Sequence, residues 1–144
     1  MSTSVPDFVV AGAGRSGTTA VVEALRVHPQ AFVTEPKEPH YFALHGTRPE
    51  FAGPGDAHTI NRVAVTDRKA FLDLFPRDRG EFRALGDGSV STLYYYQRAL
   101  PEILTMNPGM RFVILLRDPV ARAYSSFQYI RARVFDPAEA LLEA

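Results

Sequence analysis

The chain has 144 residues, of which 46% are hydrophobic and 22% charged, with a formal net charge of zero and no cysteine. This composition is typical of a globular chain and excludes a disordered, collagen-like or disulfide-stabilised protein. The neutral charge argues against nucleic acid as a partner, and the sequence has no apolar run near the ~18 residues of a membrane span.

The first third of the chain predicts two strands separated by a helix. Phe8–Ala11 is a short apolar run that ends at glycines, as buried strands often do. The turn Gly12–Gly17 leads into a helix over Thr18–Val27, whose apolar residues recur at helical spacing. Pro29 ends this helix, and Ala31–Thr34 predicts the second strand.

The middle of the chain is less regular. The stretch from His45 to Thr66 is rich in glycine and proline and predicts a long loop, which in a compact domain is usually functional. Thr66 or Asp67 is expected to cap a helix that continues through Phe75. Three further elements are predicted after it: a strand at Arg83–Gly86 and helical stretches around Leu93–Arg98 and Pro101–Met106.

The last part of the chain begins with the clearest strand, Arg111–Leu116, which is almost entirely apolar. Asp118-Pro119 has the pattern of a helix start, and the helix is expected to run to about Val134. Asp136-Pro137 repeats the same start signal. The alternation of strands and helices predicts an α/β protein with a parallel sheet and helices on both faces.

The glycine turn fits two nucleotide-binding patterns. Gly12, Gly14 and Gly17 satisfy the dinucleotide fingerprint GxGxxG, and Glu35 follows the second strand, where an acid would bind ribose. The same turn nearly matches the P-loop, except that Thr18 stands at the lysine position. A kinase or NTPase is therefore poorly supported, because that lysine neutralises the β- and γ-phosphates.

Both patterns share the same physics. A turn that opens a helix directs free backbone N–H groups and a positive dipole end at one point. Ser16, Thr18 and Thr19 add hydroxyl donors, and Arg15 adds a positive charge. The expected ligand is a phosphate-like anion.

Three segments resemble the sulfotransferases that use 3′-phosphoadenosine 5′-phosphosulfate (PAPS), in the order of the carbohydrate and bacterial members. FVVAGAGRSGTTAVVEALRVHP resembles their 5′-phosphosulfate loop, with Arg15 at the usual lysine position. EPKEPHYF resembles the segment after their second strand. MNPGMRFVILLRDPVARAYSSFQYIR resembles their 3′-phosphate segment, and GDGSVSTLYY is similar to a degenerate form of the segment before it. The resemblance extends from Asp7 to Val134.

The resemblance implies the fold: a three-layer α/β architecture, with a parallel sheet flanked by helices and P-loop-like nucleotide binding. Family members continue well past the end of this sequence, so residues 1–144 are predicted to form one partial domain that is incomplete at its C-terminal end. The N-terminus lacks the pattern of a secretory signal, and we expect a cytoplasmic protein.

The resemblance also implies the site. The donor-binding residues would be Arg15, Ser16, Gly17, Thr18 and Thr19 at the 5′-phosphate, with Arg117 and Ser125 at the 3′-phosphate. Glu38 matches the general base of the carbohydrate enzymes, and His40 is the alternative base because its ordinary pKa suits neutral pH. Lys37 would assist at the bridging oxygen, while Arg15 neutralises the leaving 5′-phosphate.

Other residues receive simpler interpretations. Arg131 and Arg133 stand near a helix C-terminus, where a positive charge is favourable without any ligand. His28, His45 and His58 lack metal-ligand spacing, so no metal is predicted. The segment Asp87-Gly88-Ser89 has no lysine, whereas the animal carbohydrate sulfotransferases often have one there.

The predicted function is transfer of a sulfuryl group from PAPS, as co-substrate, to a hydroxyl or amine of a carbohydrate or small-molecule acceptor. The chain would be such an enzyme or its N-terminal part. The alternatives are a P-loop kinase or NTPase, a Rossmann nucleotide-binding module, and a non-catalytic fragment.

Overall fold

The computed structural model describes residues 4–135 and contains a parallel sheet of four strands. The strands are β1 (Phe8–Gly12), β2 (Ala31–Val33), β3 (Ala84–Asp87) and β4 (Arg111–Ile114). Their spatial order is β2-β3-β1-β4, and every pairing between neighbours is parallel. The α/β architecture predicted from the alternation of elements is confirmed.

Seven helices lie among the described residues: α1 (Thr18–Arg26), α2 (Tyr41–Leu44), α3 (Ile60–Val63), α4 (Arg68–Leu72), α5 (Ser91–Tyr94), α6 (Tyr96–Met106) and α7 (Pro119–Phe135). Two predicted helix starts are confirmed by their caps. Asp67 accepts a hydrogen bond of 2.8 Å from the Ala70 N–H, and Asp118 accepts one of 2.9 Å from the Ala121 N–H. The third predicted start, at Asp136-Pro137, lies outside the described residues.

Three helical predictions differ from the structure in detail. The predicted loop between His45 and Thr66 contains the single turn α3. Helix α4 ends at Leu72, three residues before the expected end. The stretch around 93–98 is divided between α5 and α6 at Tyr95, whose ψ of 34° is not helical.

The central strand β1 divides the core between the two faces of the sheet. Val9 and Ala11 pack into an aromatic cluster built around α2, α4 and α6. Phe8 and Val10 point to the opposite face, where they pack with Val22 of α1. Alternate side chains of a strand point to opposite faces, so a strand covered on both sides reads as a continuous apolar run.

Strand β4 is an edge strand among the described residues, although its sequence is as apolar as that of a central strand. Large apolar side chains of β4, of the segment after it and of α7 are exposed, and Leu116 is 84% exposed. We call this region the β4/α7 surface; its members are Phe112, Ile114, Leu116, Val120, Tyr124, Phe127, Ile130 and Val134. The members on β4 and the segment after it alternate with Val113 and Leu115, which pack against the core.

Candidate active site

The carboxyl ends of the strands meet at one edge of the sheet, where open α/β sheets usually bind ligands. The turn after β1 opens α1 at this edge. Arg15 and Gly17 both adopt left-handed backbone conformations, with φ of 62° and 91°. Gly17 is the N-cap and has no side chain to occupy the free N–H groups of α1. The Ser16 hydroxyl is buried and has no hydrogen-bond partner among the described residues. These unused donors fit an anionic ligand.

The connection from β4 to α7 packs against the same turn. The Nε atom of Arg15 donates a hydrogen bond of 3.3 Å to the hydroxyl oxygen of Ser125. Arg117 donates from Nη1 to the carbonyl oxygen of Arg15 at 3.2 Å, and Arg122 donates from Nε to that of Gly14 at 2.9 Å. The two segments predicted to bind the phosphates of PAPS are therefore in direct contact.

A small charge cluster follows β2. Lys37 donates a hydrogen bond of 2.9 Å to the Thr19 hydroxyl, and its Nζ lies 3.5 Å from Oε1 of Glu38. The other carboxylate oxygen of Glu38 is 3.6 Å from Nε2 of His40. Lys37 thus connects the candidate base to the first turn of α1.

His40 is held on three sides. Its backbone adopts a left-handed conformation with φ of 56°, and its N–H donates to the Ser89 hydroxyl at 2.9 Å. Its Nδ1 lies 2.8 Å from the hydroxyl oxygen of Ser91. Burial lowers the pKa of His40, an effect that outweighs the opposing attraction of the Glu38 carboxylate. The ring is therefore neutral at neutral pH.

Ser89 extends this network to a buried carboxyl group. Its hydroxyl donates to Oδ1 of Asp87 at 2.9 Å, while Oδ2 of Asp87 is buried without a partner among the described residues. Burial raises the pKa of Asp87 to about 7, and the hydrogen bond from Ser89 opposes the shift. Asp87 thus loses its charge more easily than an ordinary aspartate.

Gly88 occupies a position with no room for a side chain. A Cβ there would lie 2.9 Å from the carbonyl oxygen of Lys37 and 3.0 Å from Cγ2 of Val22. The main chain of the EPKEPHYF segment passes directly over this residue. A side chain at Gly88 would therefore require this segment to move.

A cavity of about 720 Å³ lies above these elements. Its lining includes every predicted site residue except Ser16: Arg15, Gly17, Thr18, Thr19, Lys37, Glu38, His40, Arg117 and Ser125. The volume is that of an ordinary small-molecule site. Glu35 instead pairs with Arg26 at 2.8 Å and is not a lining residue, which removes the ribose-binding acid of the dinucleotide interpretation.

The residues on the far wall of the cavity are not among those predicted from the sequence. The sequence analysis explains Arg133 as a charge at a helix end, but Arg133 lines the cavity together with Tyr129. Asp56, His58 and Thr59 come from the predicted loop. The helical spacing of Ser125, Tyr129 and Arg133, at i, i+4 and i+8, places the three on one face of α7 and is the signal that could have found them.

Among residues 4–135, no group of three or more histidine, aspartate or glutamate side chains is arranged to hold a metal ion. None of the helices in that range is both long and apolar enough to cross a membrane.

Comparison with known proteins identifies the family of this chain. The sulfotransferase family model matches residues 6–141. Carbohydrate sulfotransferase 15 of Homo sapiens is 27% identical over 159 residues, covering 87% of this chain and 27% of that protein. Heparan sulfate glucosamine 3-O-sulfotransferase 3B1 of Homo sapiens is 27% identical over 131 residues, with coverages of 88% and 27%.

A solved sulfotransferase structure is also similar to this chain. The sulfotransferase from Alicyclobacillus acidocaldarius aligns with a TM-score of 0.77 and 32% identity, covering 89% of this chain and 51% of that one. The chain thus spans about a quarter of the length of the curated relatives and about half of the solved structure. These matches favour the sulfotransferase resemblance of the glycine turn over the dinucleotide and P-loop patterns. The chain belongs to the sulfotransferase family.

Proposed function

We propose that this chain binds PAPS and transfers its sulfuryl group to a hydroxyl or amine of a carbohydrate or small-molecule acceptor, alone or as the N-terminal part of a longer enzyme. The observation that carries the proposal is the hydrogen bond between Arg15 and Ser125. It brings the 5′-phosphate and 3′-phosphate segments of the resemblance to one cavity, as a nucleotide with phosphates at both positions requires.

The charge of the cavity supports an anionic nucleotide. Its lining contains four cationic side chains, Arg15, Lys37, Arg117 and Arg133, against the two carboxylates Glu38 and Asp56. Guanidinium groups present planar donors that match phosphate oxygens. The buried, unused hydroxyl of Ser16 and the free N–H groups of α1 add neutral donors beside them.

The proposed sulfuryl transfer gives a role to four side chains of the cavity. The donor supplies a sulfuryl group: its sulfur forms a bond to the acceptor oxygen or nitrogen while the bond to the 5′-phosphate oxygen breaks. Glu38 accepts the acceptor proton, with His40 as the alternative base. Arg15 stabilises the charge that develops on the departing phosphate, and Lys37 assists at the oxygen that leaves with it.

Binding of adenosine 3′,5′-bisphosphate, the product of the donor, tests the first half of the proposal. A ligand that binds only the folded chain raises its melting temperature in proportion to the logarithm of ligand concentration. We expect a rise that Arg117→Ala removes and Arg131→Ala preserves. Arg131 is the control because it is an exposed arginine of α7, the helix that follows Arg117, and lies outside the cavity lining. No shift at millimolar nucleotide would reject the proposal.

Transfer of labelled sulfate from PAPS to a panel of sugars and small alcohols or amines tests the second half. Labelled product that disappears with Glu38→Gln would support the enzyme. Nucleotide binding without any labelled product would instead support the alternative of a non-catalytic nucleotide-binding fragment.

A further inference from the structure

Among the described residues, Arg133 makes the hydrogen bond and the ion pair that join the far wall of the cavity to α7. We call residues 53–63 the wall segment. Arg133 donates from Nη2 to the Thr59 hydroxyl at 2.8 Å, and the same nitrogen lies 3.8 Å from Oδ1 of Asp56. A Cβ at Gly55 would lie only 2.6 Å from that nitrogen. The Arg133 side chain is 14% exposed, because the wall segment encloses its guanidinium.

The wall segment also holds Arg133 through its own hydrogen bonds. The Thr59 hydroxyl accepts from Arg133 and donates to the carbonyl oxygen of Gly55 at 3.0 Å. Asp56 accepts from the Gly53 N–H at 2.9 Å, which closes a tight turn beside the guanidinium. The position of the wall therefore depends on where Arg133 points.

Tyr129 lies against the Arg133 side chain. It lies one helical turn before Arg133, and the guanidinium carbon of Arg133 is 5.1 Å from the centre of its ring. The guanidinium carbon of Arg15 lies over the same ring at 4.6 Å. Both distances are within the ~6 Å over which an aromatic face attracts a cation. One ring thus contacts the arginine of the phosphate-binding turn and the arginine of the wall.

We propose that Tyr129 is a positioning residue that couples the two halves of the cavity: its ring orients Arg15 toward the donor phosphate and Arg133 toward the wall segment. The part of this inference that concerns the donor rests on the proposed function, whereas the part that concerns the wall does not. Energetic coupling between two sites is reciprocal, so nucleotide bound at Arg15 also steadies the wall segment.

The experiment uses four chains: the wild type, Tyr129→Leu, Tyr129→Phe and Tyr124→Leu. Phenylalanine keeps the aromatic face, and Tyr124 is the matched control because it is an exposed tyrosine of α7 outside the cavity lining. Hydrogen–deuterium exchange of peptides covering residues 53–63 is measured with and without adenosine 3′,5′-bisphosphate. Calorimetry gives the Kd for the bisphosphate.

We expect Tyr129→Leu to raise amide exchange in the wall segment and to weaken bisphosphate binding, each by roughly threefold to tenfold. The bisphosphate slows exchange of the wall segment in the wild type, and Tyr129→Leu abolishes this effect. Tyr129→Phe and Tyr124→Leu stay within about twofold of the wild type. A side chain that only stabilised the helix would not change the response of the wall to nucleotide.

The inference is overturned if Tyr129→Leu behaves like Tyr124→Leu, or if Tyr129→Phe is as damaging as Tyr129→Leu. If the wild type does not bind the bisphosphate, the proposed function fails, and wall exchange without nucleotide still decides whether Tyr129 holds the wall. Arg133→Gln provides a second route: with the ring intact, it should still loosen the wall segment, and wall exchange equal to that of the wild type would overturn the inference.

Discussion

Nε2 of His40 lies 3.6 Å from a carboxylate oxygen of Glu38, on the side of the ring opposite the Ser91 hydroxyl. Burial lowers the pKa of His40 and so favours its neutral form, which is the form that can accept a proton. Glu38 therefore stays the proposed base and His40 the alternative, and variants of the two residues distinguish them.

Glu38→Gln is expected to lower sulfate transfer by about 100-fold or more, the usual contribution of a general base. The bisphosphate Kd should stay within about twofold, because glutamine has the same shape and the donor phosphates bind elsewhere in the cavity. Glu81→Gln, an exposed glutamate outside the cavity lining, is the control. Full activity of Glu38→Gln together with loss in His40→Asn would assign the base to His40.

Arg15→Ala should weaken bisphosphate binding by about tenfold to hundredfold, the usual loss for a hydrogen-bonded charge. Arg15→Lys keeps the charge but lacks the planar group that lies over Tyr129 and donates to Ser125, so we expect an intermediate loss of about fivefold. Calorimetric titration measures both values. Equal binding by the alanine variant and the wild type would remove Arg15 from the donor site.

Asp87 gives the chain a distinctive pH dependence. Its pKa is about 7 in the folded chain and near 3.8 when unfolded, so folding favours the protonated form. This contribution to stability is fully present below about pH 4 and is lost as the pH rises through 7. Asp87→Asn keeps an acceptor for Ser89 without the charge. Its free energy of unfolding should exceed that of the wild type increasingly from about pH 4 to about pH 8, by on the order of 4 kcal/mol.

Urea unfolding of both chains across that range is the measurement. The difference between the two chains isolates Asp87 from the other carboxyl groups, which titrate equally in both. Parallel stability curves would show that Asp87 is charged in the folded chain at all these pH values.

Gly88→Ala should destabilise the fold by about 1–3 kcal/mol, since the added methyl group meets main chain at 2.9 Å rather than a flexible side-chain end. Gly14→Ala is the control, because a Cβ there meets only Cγ2 of Val90 at 4.0 Å. Thermal unfolding of the two variants distinguishes them. Equal melting temperatures would mean that the EPKEPHYF segment moves aside at little cost.

The strands and the first and last long helices were predictable because their signals are local. Phe8–Gly12 is an uninterrupted apolar run between polar residues, and Asp118-Pro119 combines a cap with a residue suited to the first helical turn. Tyr95 carries no such signal. The break at Tyr95 separates α5, which packs mainly against β1, from α6, which packs mainly against α2.

The site was predictable only in part. The turn after β1 indicates an anion site from its residues alone. Only the resemblance assigned Arg15 and Ser125, which are 110 positions apart, to the same donor, and their hydrogen bond was not predicted. The role of Arg133 depends on how residues 53–63 fold over it. The contact between this loop and a distant arginine follows from no periodic pattern in the sequence. The wall of the cavity could therefore be identified only from the structure.

The β4/α7 surface is expected to make this chain self-associate in solution. An edge strand with exposed apolar side chains is a template for pairing with other strands, and an apolar surface of this extent promotes association in water. Light scattering should therefore rise with protein concentration, and Leu116→Lys should reduce it while leaving the melting temperature unchanged, because Leu116 is 84% exposed. The ligand titrations proposed above are best repeated in this variant, because changes in self-association would then not be mistaken for ligand binding.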